Sequence, residues 1–308
     1  RYYLDMGIDG FRFDAAKYIY YGDNDTSAAF WDWYLGTLRA EYPDMYTVAE
    51  VWDSDGVTDF YFSSTNCFDF TVAGPEGLIA SAAKGGKVGG YTSYVESYLN
   101  NIKSLNSAAM YVPFVANHDQ DRAAGGLAVS MGYMQMAANL YLLGPGSPFI
   151  YYGEEIGMKG SRGGANTDAN RRLAMLWGDG DTVRDPEGTT YAADKQSNGT
   201  VVSQLSDGSS LLNYYKKLLM IRAANPEIAR GEYTAVSLDG SRAGGFIATL
   251  EGSSVLVLHN TTSESVTVDL TTLPGVYATQ VAAFIGFNSA TLEGSVLTLG
   301  ALTSAVLR

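Results

Sequence analysis

The chain has 308 residues and sets 33 Asp and Glu against 20 Lys and Arg, a formal net charge of −13. That surplus would repel a phosphate backbone, which argues against a nucleic-acid partner. No apolar run reaches the roughly 18 residues of a membrane span, and the single cysteine, Cys67, rules out an internal disulfide. The length accommodates one large domain and a smaller second one.

The chain opens at Arg1 without a methionine or a signal peptide. Tyr2 to Gly7 reads as the end of a helix with a Gly stop, so the expectation is a chain entered in the middle. Gly10-Phe11-Arg12-Phe13-Asp14-Ala15-Ala16-Lys17 then reads as a strand turning at once into a helix. Alternation puts Phe11 and Phe13 on one face and Arg12 and Asp14 on the other. The next helix runs through Phe30, Trp31, Tyr34, Leu35 and Leu38, with Asp25 or Thr26 as cap and Pro43 as stop. Tyr46 to Trp52 predicts a buried strand carrying Glu50, a carboxylate that is costly in so apolar a setting unless paired or functional. A Phe-rich strand over Phe68–Phe70, a Gly-rich connection from Gly74 to Gly90 and a helix from about Thr92 to Leu105 follow.

Tyr111 to Asp119 predicts a third strand with polar residues at its carboxyl end. Met131 to Leu143 predicts an apolar helix, and Ser147 to Tyr152 a buried strand closed by Gly153. Two polar loops, Lys159–Asn170 and Gly178–Gly208, precede a helix marked by Leu211, Tyr214, Leu218 and Ile221 that ends at Asn225-Pro226. This alternation predicts an α/β fold built as a parallel (β/α)8 barrel over residues 1–230. About five strand–helix units are present where closure takes eight, so the first strands are expected upstream of Arg1. From Gly231 to Arg308 short runs separated by Gly, Ser, Asn and Thr predict an antiparallel β-sandwich domain.

Asp14, Glu50 and Asp119 each end a separate strand, and in a barrel those ends open on one face. Converging carboxylates push at least one pKa upward, the condition under which one carboxylate attacks a sugar carbon while another protonates the leaving oxygen. Around them, Gly10 to Lys17, Ala49-Glu50-Val51-Trp52 and Phe114 to Asp119 resemble three conserved regions of the α-amylase family, glycoside hydrolase family 13. Ser147 to Glu155 is similar to that family's eighth barrel strand, and Asp168 to Trp177 to the loop after it. The order and spacing fit along essentially the whole chain, as the portion from the fourth barrel strand through the β-sandwich domain.

The resemblance implies Asp14 as nucleophile, Glu50 as general acid and base, and Asp119 as stabiliser of the transition state. It implies that Arg12 holds Asp14 ionised, and that Asn117 and His118 meet sugar hydroxyls at the cleavage point. Lys17 would reach the leaving-group side with Trp52 lining it, and Asp168 with Arg172 would contact a sugar toward the non-reducing end. The implied activity is retaining endo-hydrolysis of α-1,4-glucosidic bonds in starch and maltooligosaccharides. An α-glucosidase, a 4-α-glucanotransferase or an inactive binding subunit are the alternatives. No cofactor is needed for the chemistry. The family leaves room for a structural calcium, with the Tyr18 carbonyl as one ligand. The family's first conserved region and the small domain after its third strand are absent, so a partner segment of the same enzyme is expected. An extracellular or cell-surface location follows from the size of starch. His259 is read as structural, and Glu154 and Glu155 as supports of the barrel.

Overall fold

The computed structural model describes residues 1–163, 168–178, 180, 183–191, 195–238, 242–273, 275 and 278–308. Parts of the two predicted polar loops lie outside these residues. The chain divides into two compact units, Arg1–Thr71 with Ser97–Pro113, and Val72–Glu96 with Phe114–Arg308.

In the first unit a parallel sheet runs β1 (Gly10–Phe13), β2 (Tyr46–Ala49), β3 (Asn66–Cys67). Phe13 is in register with Ala49. Gly10 makes that pairing possible, because a Cβ there would stand 1.9 Å from the Tyr46 carbonyl oxygen. The helix Asn24–Arg39 joins β1 to β2 and buries Trp31, Leu35 and Leu38. Phe13 meets Trp31 at 4.6 Å between ring centroids, as the alternation in β1 requires. The cap is Asp23, upstream of the expected Asp25 or Thr26; its extended backbone lets the carboxylate accept from the Thr26 amide at 2.9 Å.

Directly after Asp14 the structure has a single 3₁₀ turn, Ala16–Tyr18, in place of the expected helix. Ala15 takes φ +47°, and a left-handed residue interrupts a helical run. The third strand lies at Asn66–Cys67, before the expected Phe68–Phe70, because β2 ends at Ala49 and leaves no ladder beyond Cys67. Phe68 instead makes an isolated parallel bridge to Val112.

The connection after Gly74, expected to be irregular, holds a helix at Leu78–Ala83 whose Ile79, Ala80, Ala82 and Ala83 are buried. Its Leu-Ile-Ala-Ser-Ala-Ala run is a good helix former, which outweighs the flanking glycines. The helix Val88–Leu105 starts ahead of the expected Thr92. The predicted strand Tyr111–Asp119 is reduced to bridges, Val112 to Phe68 and Phe114 to Phe149. Pro113 has no amide hydrogen, so no continuous ladder crosses it. Pro148 acts likewise in Ser147–Tyr152, where Phe149 and Ile150 stay 37% exposed against the expectation of full burial.

The helices Met131–Leu142 and Leu211–Ala224 form where the apolar spacing placed them. The second loop contains a helix, Val201–Ser206, started by a capping box between Thr200 and Ser203. Beyond Arg230 the second unit is a pair of antiparallel sheets. The five-stranded one runs β4 (Glu232–Ser237), β5 (Ala243–Leu250), β6 (Ser253–Asn260), then β11 (Thr303–Leu307) and β8 (Val281–Gly286). The three-stranded one runs β7 (Val266–Asp269), β10 (Val296–Leu299), β9 (Ala290–Glu293). Leu256, Leu258, Leu297, Leu299 and Leu307 fill the core; β10 alternates exposed and buried residues, whereas β11 is buried throughout. The fold is thus α/β, with an unclosed parallel sheet and a β-sandwich. Among the described residues no helix is long and apolar enough to cross a membrane.

Candidate active site

In the first unit the parallel pairing of β1 and β2 sets Asp14 and Glu50 side by side, each one residue past its strand. The Glu50 amide donates to the Phe13 carbonyl at 2.8 Å, and the Ala16 amide to the Glu50 carbonyl at 3.0 Å. Arg12 is shared between the two carboxylates. One guanidinium nitrogen is bonded to Asp14 and the other donates to Glu50 Oε2 at 3.0 Å. The same oxygen accepts from the Ala15 amide at 3.0 Å, a bond that the left-handed turn at Ala15 aims. Glu50 is 9% exposed, so the carboxylate that looked costly in sequence is paired.

Lys17 Nζ donates to the Trp52 carbonyl and to Asp53 Oδ2, both at 2.8 Å. Burial alone would lower its pKa, but the bond and charge of Asp53 outweigh this and raise it. The bond from Lys17 holds Asp53 below the usual carboxylate range. Trp52 is 46% exposed and stacks on Phe70 with 4.9 Å between centroids and an 11° interplanar angle, so it presents a surface ring rather than filling the core. Tyr18 is exposed and stacks on Tyr21. Among the described residues no group of three or more His, Cys, Asp or Glu is placed to hold a metal ion.

The second unit assembles a separate cluster. His118 Nε2 lies 3.2 Å from Asp119 Oδ2, and Arg172 Nη2 donates to Asp119 Oδ1 at 2.5 Å. Asn117 accepts the Asp119 amide on its Oδ1 at 2.9 Å, which fixes the turn carrying both residues. Arg172 reaches Asp168 only at 3.5 Å; its closer partners are Asp119 and the His118 carbonyl. The tighter partner of Asp168 is Arg171, at 2.8 Å, which also donates to the Asp119 carbonyl and to Asp121 Oδ1, each at 2.7 Å.

Arg171, Asp121 and Asp53 were not singled out from sequence. The signals existed: Arg171 is three residues from Asp168, and Asp53 directly follows Trp52.

A family profile described as "Alpha amylase, catalytic domain" matches residues 1–231. The chain belongs to the α-amylase family. A second profile, "Alpha-amylase SusG C-terminal domain", matches residues 244–306 of this family member. The chain is 29% identical over 265 residues to Alpha-amylase 3 of Dictyoglomus thermophilum, covering 84% of this chain and 51% of the relative. It is 30% identical over 274 residues to Alpha-amylase SusG of Bacteroides thetaiotaomicron, covering 84% of this chain and 39% of the relative. Among solved structures, Eubacterium rectale Amy13B superposes with a TM-score of 0.90 at 28% identity, over 99% of this chain and 60% of that one. The chain therefore spans about half or less of the length of these curated relatives. Further matches include a cyclomaltodextrinase and 4-alpha-glucanotransferases. The α-amylase family embraces hydrolases and transferases acting on α-glucans, and this chain is a glycoside-hydrolase-type catalytic portion with its C-terminal domain.

Proposed function

We propose that this chain supplies the catalytic residues for retaining cleavage of α-1,4-glucosidic bonds in starch-like glucans, with endo-hydrolysis as the main reaction. The observation that carries the reading is Arg12 bonded to both Asp14 and Glu50. In the first step the Asp14 carboxylate attacks the anomeric carbon, the C–O bond breaks, and protonated Glu50 gives its proton to the leaving oxygen. Asp14 becomes a neutral glycosyl ester and Glu50 becomes a carboxylate, so one negative charge passes from Asp14 to Glu50. A guanidinium facing both groups stabilises that charge before and after the transfer without moving. In the second step Glu50 takes a proton from water, the water oxygen attacks the anomeric carbon, and Asp14 leaves as carboxylate.

Asp119, steadied by Arg172, His118 and Arg171, is assigned to sugar hydroxyls and to the cation-like transition state. Asn117 and His118 are assigned to hydroxyls beside it, and Asp168 with Arg172 to a sugar further along. Trp52, an exposed ring next to the Lys17–Asp53 pair, is assigned to the leaving-group side. Calcium at the Tyr18 carbonyl would be structural, and loss of thermal stability on chelation is its test. The profile matches support division into a barrel portion over 1–230 and a C-terminal β-domain over 231–308. The size of starch places the site of action outside the cell or at its surface.

A second reading has support in the matches to 4-alpha-glucanotransferases. There a glucan hydroxyl replaces water in the second step. The deciding experiment measures reducing-sugar release from soluble starch by the full-length protein beside a Glu50→Gln control, with product lengths followed from maltotriose. Hydrolysis lost in the control, with products shorter than the substrate, supports the main reading. Products longer than maltotriose establish transfer. No turnover of either substrate overturns both.

A further inference from the structure

Arg122 lies three residues past Asp119 and is 2% exposed; no other lysine or arginine among the described residues is so deeply buried. The reaction gives it no direct role. A buried guanidinium is costly unless its charge is met. Its terminal nitrogens go to carbonyls rather than to a carboxylate. Nη1 donates to the Tyr152 carbonyl at 2.7 Å and Nη2 reaches the Leu173 carbonyl at 3.5 Å, while Nε has no hydrogen-bond partner among the described residues.

The remaining charge is met by ring faces. The guanidinium carbon lies 4.8 Å from the Tyr151 centroid and 4.7 Å from that of Tyr152, within reach of cation–π attraction. The two rings are themselves 4.7 Å apart at 63°. The three groups thus form a nearly equilateral triangle, and displacing the cation frees both rings. Gly153 leaves room for it, since a Cβ there would stand 3.0 Å from Nη1.

Each of these tyrosines ends in a hydroxyl that fastens the loop carrying Arg172. Tyr151 donates to the Arg171 carbonyl at 3.0 Å, and Tyr152 to the Leu173 carbonyl at 2.7 Å. The two carbonyls flank Arg172, whose guanidinium donates to the Asp119 carboxylate at 2.5 Å and to the His118 carbonyl at 3.0 Å. A circuit closes in this way, from Asp119 along the chain to Arg122, through two tyrosines to the backbone at 171–173, and back to Asp119. Methionine would fill the same space without burying a charge. What the guanidinium adds is a planar cation on which two rings and two carbonyls close at once.

We propose that Arg122 is a positioning residue for Asp119. It locks Tyr151 and Tyr152 in the orientation at which their hydroxyls clamp the backbone on either side of Arg172, and so aims Arg172 at the Asp119 carboxylate. The inference rests on the reading of Asp119 as stabiliser of the transition state. Displacing such a group by about 1 Å raises the barrier far more than it weakens ground-state binding, so kcat falls while KM holds.

Steady-state kinetics of the full-length protein on soluble starch test this with Arg122→Met and Tyr152→Phe, each alone and combined with Arg172→Ala. Arg122→Met is expected to lower kcat per folded molecule about tenfold, with KM changed by less than about threefold. Tyr152→Phe removes one hydroxyl and keeps the ring, so it should fold even where Arg122→Met does not, and lower kcat about threefold. In the Arg172→Ala background both losses should shrink below about twofold, because the group they aim is gone. A residue that only supports the fold would lower the folded fraction, and its effect would multiply with that of Arg172→Ala. Undiminished kcat in Tyr152→Phe overturns the proposal, as do losses that multiply in the combined variants. Absent turnover by the unmodified protein is a distinct result, which removes the catalytic reading and this proposal with it.

Discussion

Arg12 Nη2 donates to Glu50 Oε2 at 3.0 Å, across the paired ends of β1 and β2. The same guanidinium also holds Asp14, so one planar cation faces two carboxylates. Lysine keeps the charge but cannot present two fixed donors at once. Arg12→Lys is expected to lower kcat on starch by about 100-fold, near 2.7 kcal/mol of barrier, with a smaller change in KM. Steady-state kinetics beside a circular dichroism spectrum check this, and a lysine variant with undiminished kcat would show that the shared guanidinium has no catalytic role.

Gly10 places the same carboxylates from a distance. Its Cβ position lies 1.9 Å from the Tyr46 carbonyl oxygen, so any side chain must push β1 and β2 apart at their first rung. Gly10→Ala is expected to cost about 2–3 kcal/mol of stability by overpacking. Activity of the folded fraction should fall as well, because Asp14 and Glu50 sit four residues along, just past the end of the same pair. Denaturant unfolding and starch assays on one preparation read both, and unchanged values in each would refute the close approach.

Arg171 and Arg172 are adjacent, but they act on different parts of Asp119. Arg172 holds the carboxylate at 2.5 Å, whereas Arg171 holds the backbone carbonyl and ties in Asp121 and Asp168. Arg172→Ala is expected to lower kcat by about tenfold or more with little loss of stability. Arg171→Ala removes three charge-assisted bonds and should cost about 2 kcal/mol of stability as well. Thermal melts set against kinetics separate the two, and identical profiles would count against this division.

This pair also shows where sequence reasoning runs out. The sequence resemblance assigns Asp168 and Arg172 together as contacts to one sugar, and they approach each other at 3.5 Å. The shorter bonds go to Asp119 and to Arg171, and helical spacing holds no information about a residue some fifty positions away. The strand β1 and the helix Asn24–Arg39 were legible because each repeats its apolar side chains at one period, and the helix Met131–Leu142 because it is an unbroken apolar run that ends at Gly144-Pro145. The turn at Ala15 was not, because nothing local marks an alanine as left-handed; the amide bond it gives Glu50 is a tertiary reason. Pro113 and Pro148 lie inside stretches predicted as strands, and their missing amide donors account for the isolated bridges found there. His259, read as structural, is buried and bonded through Nδ1 to Ser304 Oγ at 2.7 Å.

Glu154 and His259 oppose each other in the pH dependence of stability. Burial raises the Glu154 pKa from 4.5 to about 7, although the Tyr141 and Tyr215 hydroxyls donate to its Oε1 at 2.6 and 2.8 Å. Burial lowers the His259 pKa from 6.5 to about 3. Between about pH 4.5 and 6.5 the folded chain keeps a proton on Glu154 that the unfolded chain has lost, so this group's contribution falls as pH rises. Over the same window the unfolded chain holds a proton on His259 that the folded chain refuses, so that contribution rises with pH. Each slope is about 1.4 kcal/mol per pH unit, and the two cancel. Glu154→Gln keeps an oxygen for both tyrosines and removes one side of the balance. Its stability relative to the unmodified chain should climb by about 1.4 kcal/mol per pH unit from about pH 4.5 to about pH 7, then level off. Urea unfolding at a series of pH values measures the difference directly, and a flat difference across that window would mean that Glu154 is already ionised in the folded protein.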